Sequence, residues 1–274
     1  MTRRIFLDAE HDRAMRRDGY IVLDLLQTTD VERLATCFAA VDAAHSGDFS
    51  ATSLSDDEAC RRTVHDDVAA VLGPRLLPLL DDYRIAVATY VVKRADSQLS
   101  TVAVHQDFTF IKEDDQVGLT LWCPLVDVDA DNGWLGVLPG SHLFNQEYRE
   151  PFYMPYQELI DMIEERYLKY LPMRAGQVLF MDNRLFHGSP RNRSASPRIV
   201  AGGVAVPRSK PLLYCHRDDD ETLEIYEVAE DFYVRHDIGR RPAEGRLLGR
   251  TPRRAGTLTE GQLAAHWHSL PTSG

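Results

Sequence analysis

The spacing of hydrophobic residues predicts a helical first third of the chain. The apolar positions of the first helical pattern are Val31, Leu34, Phe38 and Val41. Thr29 and Glu32, at the start of this pattern, have the spacing of a capping box, which predicts that the helix begins there. A polar stretch over 47–60 is typical of a surface loop, and a second helical pattern runs over 65–82. The segment 29–82 is therefore expected to supply N-terminal helices.

From residue 84 the pattern changes to that of β-strands. Short runs rich in β-branched and aromatic residues are separated by turn signals such as Asn132-Gly133. The runs occupy 85–93, 101–110, 117–128, 134–138, 176–182 and 198–206. Strands in succession, without alternating helices, favour a mainly β fold with flanking helices, built as an antiparallel sandwich or barrel.

The remaining segments are expected to belong to the same single domain, 1–274, around a β core at about 84–206. Residues 145–172 break the strand pattern and predict an inserted helix, a candidate lid over a site. The C-terminal extension, 207–274, carries no chemical motif. Within it, 223–233 is compatible with a strand or a helix, and 259–268 predicts a short helix.

Composition and charge narrow the class of protein. The chain has 274 residues and a net charge of −11, which disfavours nucleic-acid binding because that activity needs a basic surface. No apolar stretch is long enough to span a membrane, and no signal peptide is evident, so a cytoplasmic location is expected. The four cysteines form no CxxC pair, which disfavours a zinc ribbon. The sequence does not predict an oligomeric state.

Three residues are candidate metal ligands. His105 and Asp107 lie two residues apart in a segment with a strand pattern, so both side chains are expected to point to one side. His187 follows the strand pattern over 176–182 and is the candidate third donor. Two histidines and one carboxylate are the ligand set of non-haem Fe(II) oxygenases. The spacing alone leaves a structural His–Asp pair open as the alternative.

Arg198 is a candidate anion-binding residue. It lies eleven residues after His187, and a hairpin can bring it back alongside that histidine. A planar guanidinium binds a carboxylate through two parallel hydrogen bonds, which suits a dicarboxylate co-substrate. A surface ion pair is the alternative interpretation of Arg198.

Four segments together resemble one protein family. They are RDGYIVLDLL at 17–26, HQD at 105–107, DNGWLGVLPGSH at 131–142 and HGSPRNRSASPR at 187–198. In this order they resemble the phytanoyl-CoA dioxygenase (PhyH-like) family of Fe(II)/2-oxoglutarate-dependent oxygenases, over residues 11–206. The resemblance implies a double-stranded β-helix, also called a cupin-like jelly roll. It also implies Fe(II), 2-oxoglutarate as co-substrate and O2.

The resemblance assigns roles to single positions. The implied iron ligands are His105, Asp107 and His187. Arg198 is the implied partner of the distal carboxylate of 2-oxoglutarate, and Trp122 and Thr89 are further candidates for co-substrate contacts. His142 is expected to be structural. Ser189, Asn192 and Ser194 are expected to support the loop between His187 and Arg198.

The implied activity is oxidation of an unactivated C–H bond of a small molecule in secondary metabolism. Hydroxylation is expected, with desaturation and ring formation as further outcomes, whereas the carboxylate of Asp107 disfavours halogenation. The candidate aromatic walls of a substrate pocket are Phe108, Phe110, Trp134, Phe186 and Tyr153. The alternatives are an acyl-CoA hydroxylase, a non-catalytic cupin-like binding protein and a zinc hydrolase.

Overall fold

The computed structural model describes residues 3–42, 47–144, 147–152, 156–236, 238–253 and 258–270. Its helices are α1 (Ala9–Asp18), α2 (Thr28–Val41), α3 (Glu58–Leu76), α4 (Ile160–Arg166), α5 (Phe232–Arg235) and α6 (Glu260–Ser269). Its first seven strands are β1 (Tyr20–Asp24), β2 (Phe49–Ala51), β3 (Tyr83–Lys93), β4 (Val102–His105), β5 (Leu119–Pro124), β6 (Leu135–Val137) and β7 (Lys169–Leu171). The remaining strands are β8 (Gln177–Asp182), β9 (His187–Ser189), β10 (Arg198–Pro207), β11 (Leu212–Arg217), β12 (Thr222–Val228) and β13 (Arg246–Pro252).

Two antiparallel sheets form the core of the fold. The larger has six strands in the order β1-β8-β5-β10-β3-β2, and the smaller has four in the order β4-β9-β6-β7. Neighbouring strands are often distant in sequence, as in a double-stranded β-helix. This confirms the predicted jelly roll. The two sheets use more of the chain than the predicted core, since β1 and β2 precede residue 84.

The helices α2 and α3 cover the outer face of the six-stranded sheet. Successive side chains of β3 point to opposite faces of the sheet, so this one strand contributes residues to both faces. Tyr90 and Val92 pack into the cluster that contains Leu34 and Leu72 of the helices. Thr89 and Val91, which alternate with them and point to the other face, line an internal cavity. Burial of these outer-face side chains fixes the sheet and so fixes which residues face inward.

Two helix boundaries differ from those predicted. Helix α2 begins at Thr28 because the Asp30 carboxylate accepts a hydrogen bond from the Gln27 backbone N–H, so the capping box predicted at Thr29 is wrong. Helix α3 begins at Glu58, capped by the Asp57 carboxylate, and the predicted loop over 47–60 holds β2 and a 3-10 turn. Both helices begin in short polar stretches, where the sequence has no apolar pattern that would locate the first residue of the helix.

A segment without a predicted helix also forms one. Helix α1 begins after the Asp8 cap and ends before Gly19, whose φ of 79° suits glycine.

The strand predicted over 101–110 is shorter than expected. It ends at His105, so Asp107 lies just beyond β4.

The insert and the extension add structure around the jelly roll. Ile160 and Ile163 of α4 are buried in a cluster with Phe186 and Leu138, so this helix packs against the core instead of covering the cavity. In the extension, β11, β12 and β13 form a three-stranded sheet. Residues 223–233 contain both most of β12 and the start of α5. In the described part of the chain, no helix combines the length and apolarity that crossing a membrane requires.

Candidate active site

His105 and His187 are direct cross-strand partners. The pairing of β4 with β9 places the two residues opposite each other, after a register shift between Val102 and His105. Their imidazole rings lie 4.3 Å apart, centroid to centroid. Antiparallel pairing therefore joins two histidines that are 82 positions apart in the sequence.

The carboxylate of Asp107 completes a cluster of three donors. Its Oδ1 lies 3.8 Å from Nε2 of His105 and 3.9 Å from Nε2 of His187. One ligand atom from each residue lies within 4.8 Å of the other two. The geometry brings together the three residues that the sequence predicted as metal ligands, although Asp107 stands past the end of the strand.

Hydrogen bonds to the backbone orient both imidazoles. Nδ1 of His105 donates to the carbonyl of Ala103, and Nδ1 of His187 donates to that of Leu185, each at 2.9 Å. A carbonyl only accepts, so each Nδ1 carries the proton and each Nε2 keeps its lone pair for a metal. Burial and the nearby His187 lower the pKa of His105 from 6.5 to about 4, which keeps this ring neutral at neutral pH.

Asp107 is held from two sides. The Thr120 hydroxyl donates to Oδ2 of Asp107, which leaves Oδ1 to face the histidines. On the other side, Nε of Arg149 donates to the Asp107 backbone carbonyl at 2.7 Å. The Arg149 guanidinium is itself bound to the carboxylate of Glu113, and both side chains are buried. Thr120 and Arg149 thus fix the side chain and the backbone of the same candidate ligand.

Arg198 is a buried cation without an acidic partner among the described residues. Its side chain is 1% exposed, and its Cζ lies 5.3 Å from the ring centroid of Trp122. Nη1 donates to the carbonyl of Gly133, whereas Nε has no hydrogen-bond partner. Burial lowers the pKa of Arg198 from 12.5 to about 9, so the group is still charged at neutral pH. An uncompensated buried cation is costly, and an anionic ligand would remove that cost.

A cavity of about 410 Å³ adjoins the cluster. His105 and Asp107 line it together with Thr89, Thr120 and Trp122. Arg198 precedes Val200 and Gly202 of the cavity wall on the same face of β10, which places the guanidinium next to this space. The hydroxyl of Thr89 is already bonded to Thr52 and to the backbone N–H of Ser53.

The predicted aromatic walls separate into two groups. Phe108 and Phe110 line the cavity and stack at 4.3 Å. Trp134 instead stacks on Tyr170, and Phe186 is buried in the cluster around α4, so neither belongs to the cavity wall. All four residues lie outside the strands, so strand alternation could not predict which way their side chains point. Tyr153 lies outside the described residues.

The loop from His187 to Arg198 is held by a buried amide. Nδ2 of Asn192 donates to the carbonyls of Lys93 and Ser196, and its Oδ1 accepts from the backbone N–H and hydroxyl of Ser194. Ser189 contributes through its carbonyl, which accepts from Lys93. His142 is buried and bonds the carbonyl of Arg16 away from the metal ligands, as expected for a structural residue.

Three supporting residues were not identified from the sequence: Lys93, Thr120 and Arg149. Thr120 could have been found from the sequence, because it lies two residues before Trp122 on the same strand and must therefore point to the same face. Lys93 and Arg149 have no distinguishing sequence signal, since an isolated basic residue is usually exposed.

A jelly roll that presents two histidines and a carboxylate beside a cavity, with a buried arginine nearby, defines the class of Fe(II)- and 2-oxoglutarate-dependent dioxygenases. The phytanoyl-CoA dioxygenase (PhyH) family model matches residues 15–200. The chain belongs to this family, and it is an Fe(II)- and 2-oxoglutarate-dependent dioxygenase. No curated protein sequence matches it significantly.

Solved structures share the fold at low sequence identity. The carbocyclase SnoK from nogalamycin biosynthesis is 23% identical with a TM-score of 0.55, covering 75% of this chain and 86% of SnoK. HygX from Streptomyces hygroscopicus, with nickel and 2-oxoglutarate bound, is 14% identical with a TM-score of 0.52, covering 74% and 88%. EctD from S. alaskensis, with 2-oxoglutarate and 5-hydroxyectoine, is 22% identical with a TM-score of 0.53, covering 75% and 78%.

Proposed function

We propose that this protein hydroxylates an unactivated C–H bond of a small organic molecule. In this proposal His105, Asp107 and His187 hold Fe(II), and Arg198 binds the distal carboxylate of 2-oxoglutarate. The observation that carries it is the convergence of the three donors within 4.8 Å beside a cavity. The buried, acid-free guanidinium of Arg198 supports the co-substrate assignment.

The overall reaction balances as substrate, 2-oxoglutarate and O2 giving the alcohol, succinate and CO2. Fe(II) held by His105, Asp107 and His187 would supply the activation of O2. The chain supplies orientation and exclusion of water. The two Nδ1–H groups hold the imidazoles to backbone carbonyls, and the apolar wall keeps bulk water away from the reacting carbon.

Natural-product biosynthesis is the proposed setting. SnoK, which shares the fold, is described as an enzyme of nogalamycin biosynthesis. A zinc hydrolase with the same three ligands would leave the buried charge of Arg198 without a role. A binding protein without catalysis would not require Nε2 of both histidines to be free for a metal.

The test is substrate-stimulated formation of succinate under Fe(II) and O2, measured by mass spectrometry. His105→Ala, Asp107→Ala and His187→Ala should each abolish it, while His216→Ala, on β11 outside the cavity, should leave it unchanged. Anaerobic addition of Fe(II) and 2-oxoglutarate to the wild type should give a weak visible charge-transfer band. Wild-type turnover in any of the three ligand variants would overturn the assignment.

A further inference from the structure

The wall of the cavity offers almost no charge to a substrate. Among the described residues that line it, the ionisable side chains are those of His105 and Asp107, which the proposed metal would occupy. Most of the remaining wall is apolar and includes Val87, Val91, Val102, Phe110 and Val204. A charged substrate would lose its hydration here without gaining a partner, which is strongly unfavourable.

One side of the cavity is aromatic: Phe108 lines it, and Phe110 lies behind Phe108, between it and the fully buried Tyr233. Phe108 stacks on Phe110 at an interplanar angle of 28°, and the ring of Phe110 lies 4.5 Å from that of Tyr233. Tyr233 belongs to the C-terminal extension, which also contributes Ile238 to the wall. Stacked aromatic rings favour contact with another planar ring.

Large apolar side chains surround the mouth of the same cavity. Phe49, Leu54 and Phe152 line it and are 36%, 43% and 70% exposed. Phe152 has a φ of 65°, a strained conformation for a residue with a side chain. Exposed apolar side chains clustered on one site indicate ligand binding. The rim, defined as Phe49, Leu54 and Phe152, is therefore a continuation of the substrate site.

We infer that the substrate is a neutral, ring-containing apolar molecule longer than the cavity. Its reacting carbon lies beside His105 and Asp107, a ring packs on the partly exposed Phe108, and the remainder lies across the rim. This inference rests on the proposed function. It disfavours a coenzyme A thioester whose phosphates enter the cavity, because the described wall offers them no basic side chain. Arg217 and Arg253 line a separate pocket on the other side of Phe152.

Three naphthalene probes of one shape and different charge test the inference. They are 2-naphthylmethanol, 2-naphthoate and 2-naphthylmethylammonium, titrated calorimetrically into protein saturated with nickel and 2-oxoglutarate. Saturation occupies the metal ligands and Arg198, so the probes report on the remaining wall. The neutral alcohol should bind at least about tenfold more tightly than either ion. Equal or tighter binding of an ion, or of coenzyme A, would overturn the inference.

The rim is tested with a longer neutral probe, 6-phenyl-2-naphthylmethanol. Leu54→Ser and Phe152→Ser should each weaken its binding by about fivefold or more, and should change binding of the short alcohol by less than about twofold. Leu247→Ser is the matched control, since Leu247 is 43% exposed on β13 and does not line the cavity. Equal effects of all three substitutions would remove the rim from the site.

The binding measurements and the turnover measurements test the two proposals independently. If succinate never forms but the neutral probe still binds best, the proposed function is wrong and the chemistry of the cavity is as inferred. If succinate forms but a charged probe binds best, the proposed function holds and the substrate class is wrong.

Discussion

Lys93 and Arg198 lie directly opposite each other on β3 and β10, and both side chains are almost completely buried. Nζ of Lys93 donates to the carbonyls of Ser189, at 2.9 Å, and Pro190. Burial and the charge of Arg198 lower the pKa of Lys93 from 10.5 to about 6. A neutral amine has two N–H donors, which the two carbonyls satisfy. At neutral pH, Arg198 is therefore the charged member of the pair.

Lys93 should give the stability of the metal-free protein a specific pH dependence. Because its pKa is lower in the folded state, the unfolded state binds the additional proton between about pH 6 and 10.5. Its contribution to the free energy of unfolding is largest above this window and decreases as the pH falls through it, by at most about 1.4 kcal/mol per pH unit. Lys93→Met should remove this slope.

Urea unfolding at several pH values between about 7 and 9 measures the slope. Lys169→Met is the control, because Lys169 is exposed at the start of β7 and its loss should leave the wild-type slope intact. A wild-type slope in Lys93→Met would show that Lys93 is protonated in the folded state across this range.

Arg198→Ala should raise the KM for 2-oxoglutarate by about 10- to 100-fold, because a charge-assisted hydrogen bond is worth about 1.5–3 kcal/mol. Arg198→Lys should recover only part of the loss, since an ammonium cannot form two parallel bonds to a carboxylate. Initial rates of succinate formation at varied 2-oxoglutarate give this value. Arg193→Ala, on the preceding loop, should have the wild-type KM, because the Arg193 guanidinium donates to the carbonyl of Ala130. An unchanged KM in Arg198→Ala would exclude the proposed role.

Thr120→Val should weaken metal binding by about 10- to 100-fold while preserving the fold, because valine has the same shape and lacks the donor to Oδ2 of Asp107. Titration with Co(II), followed by its visible absorption, measures the affinity. Thr251→Val is the control: Thr251 also lies on a strand, β13, but away from the cavity, so its loss should leave the metal affinity unchanged. Equal affinity in Thr120→Val and the wild type would show that Asp107 needs no such support.

Arg149→Met should disturb Asp107 directly, whereas Glu113→Gln should act through Arg149. Breaking a buried ion pair by changing one partner costs about 3–5 kcal/mol of stability. The double variant should therefore lose less stability than the two single variants summed. The visible spectrum of the Co(II) protein should change most in Arg149→Met, which also loses the bond to the Asp107 carbonyl.

Arg253→Met, which breaks the neighbouring and less buried pair with Glu150, is the comparison for that experiment. It should change the cobalt spectrum little. A wild-type spectrum in folded Arg149→Met would limit Arg149 to a role in stability.

The fold and the convergence of the three candidate metal ligands were largely accessible from the sequence. Strand periodicity predicted most strands of the jelly roll, because alternation is a local property of the chain. Four motifs in order indicated His105, Asp107, His187 and Arg198. The start of α3 and the strand β2 were hidden in the polar stretch over 47–60, where side-chain caps decide the structure without an apolar pattern. The predicted single domain and its boundaries stay predictions.

By itself, the sequence determined which residue types supply the chemistry and which segments form strands. The tertiary structure alone decided that His187 pairs with His105, that Lys93 stands opposite Arg198, and that Arg149 from the insert reaches the Asp107 carbonyl. It also placed Phe108 in the cavity and Phe186 in a separate core. The reason is physical: strand register and long-range burial depend on how distant segments pack, and no local pattern encodes that packing.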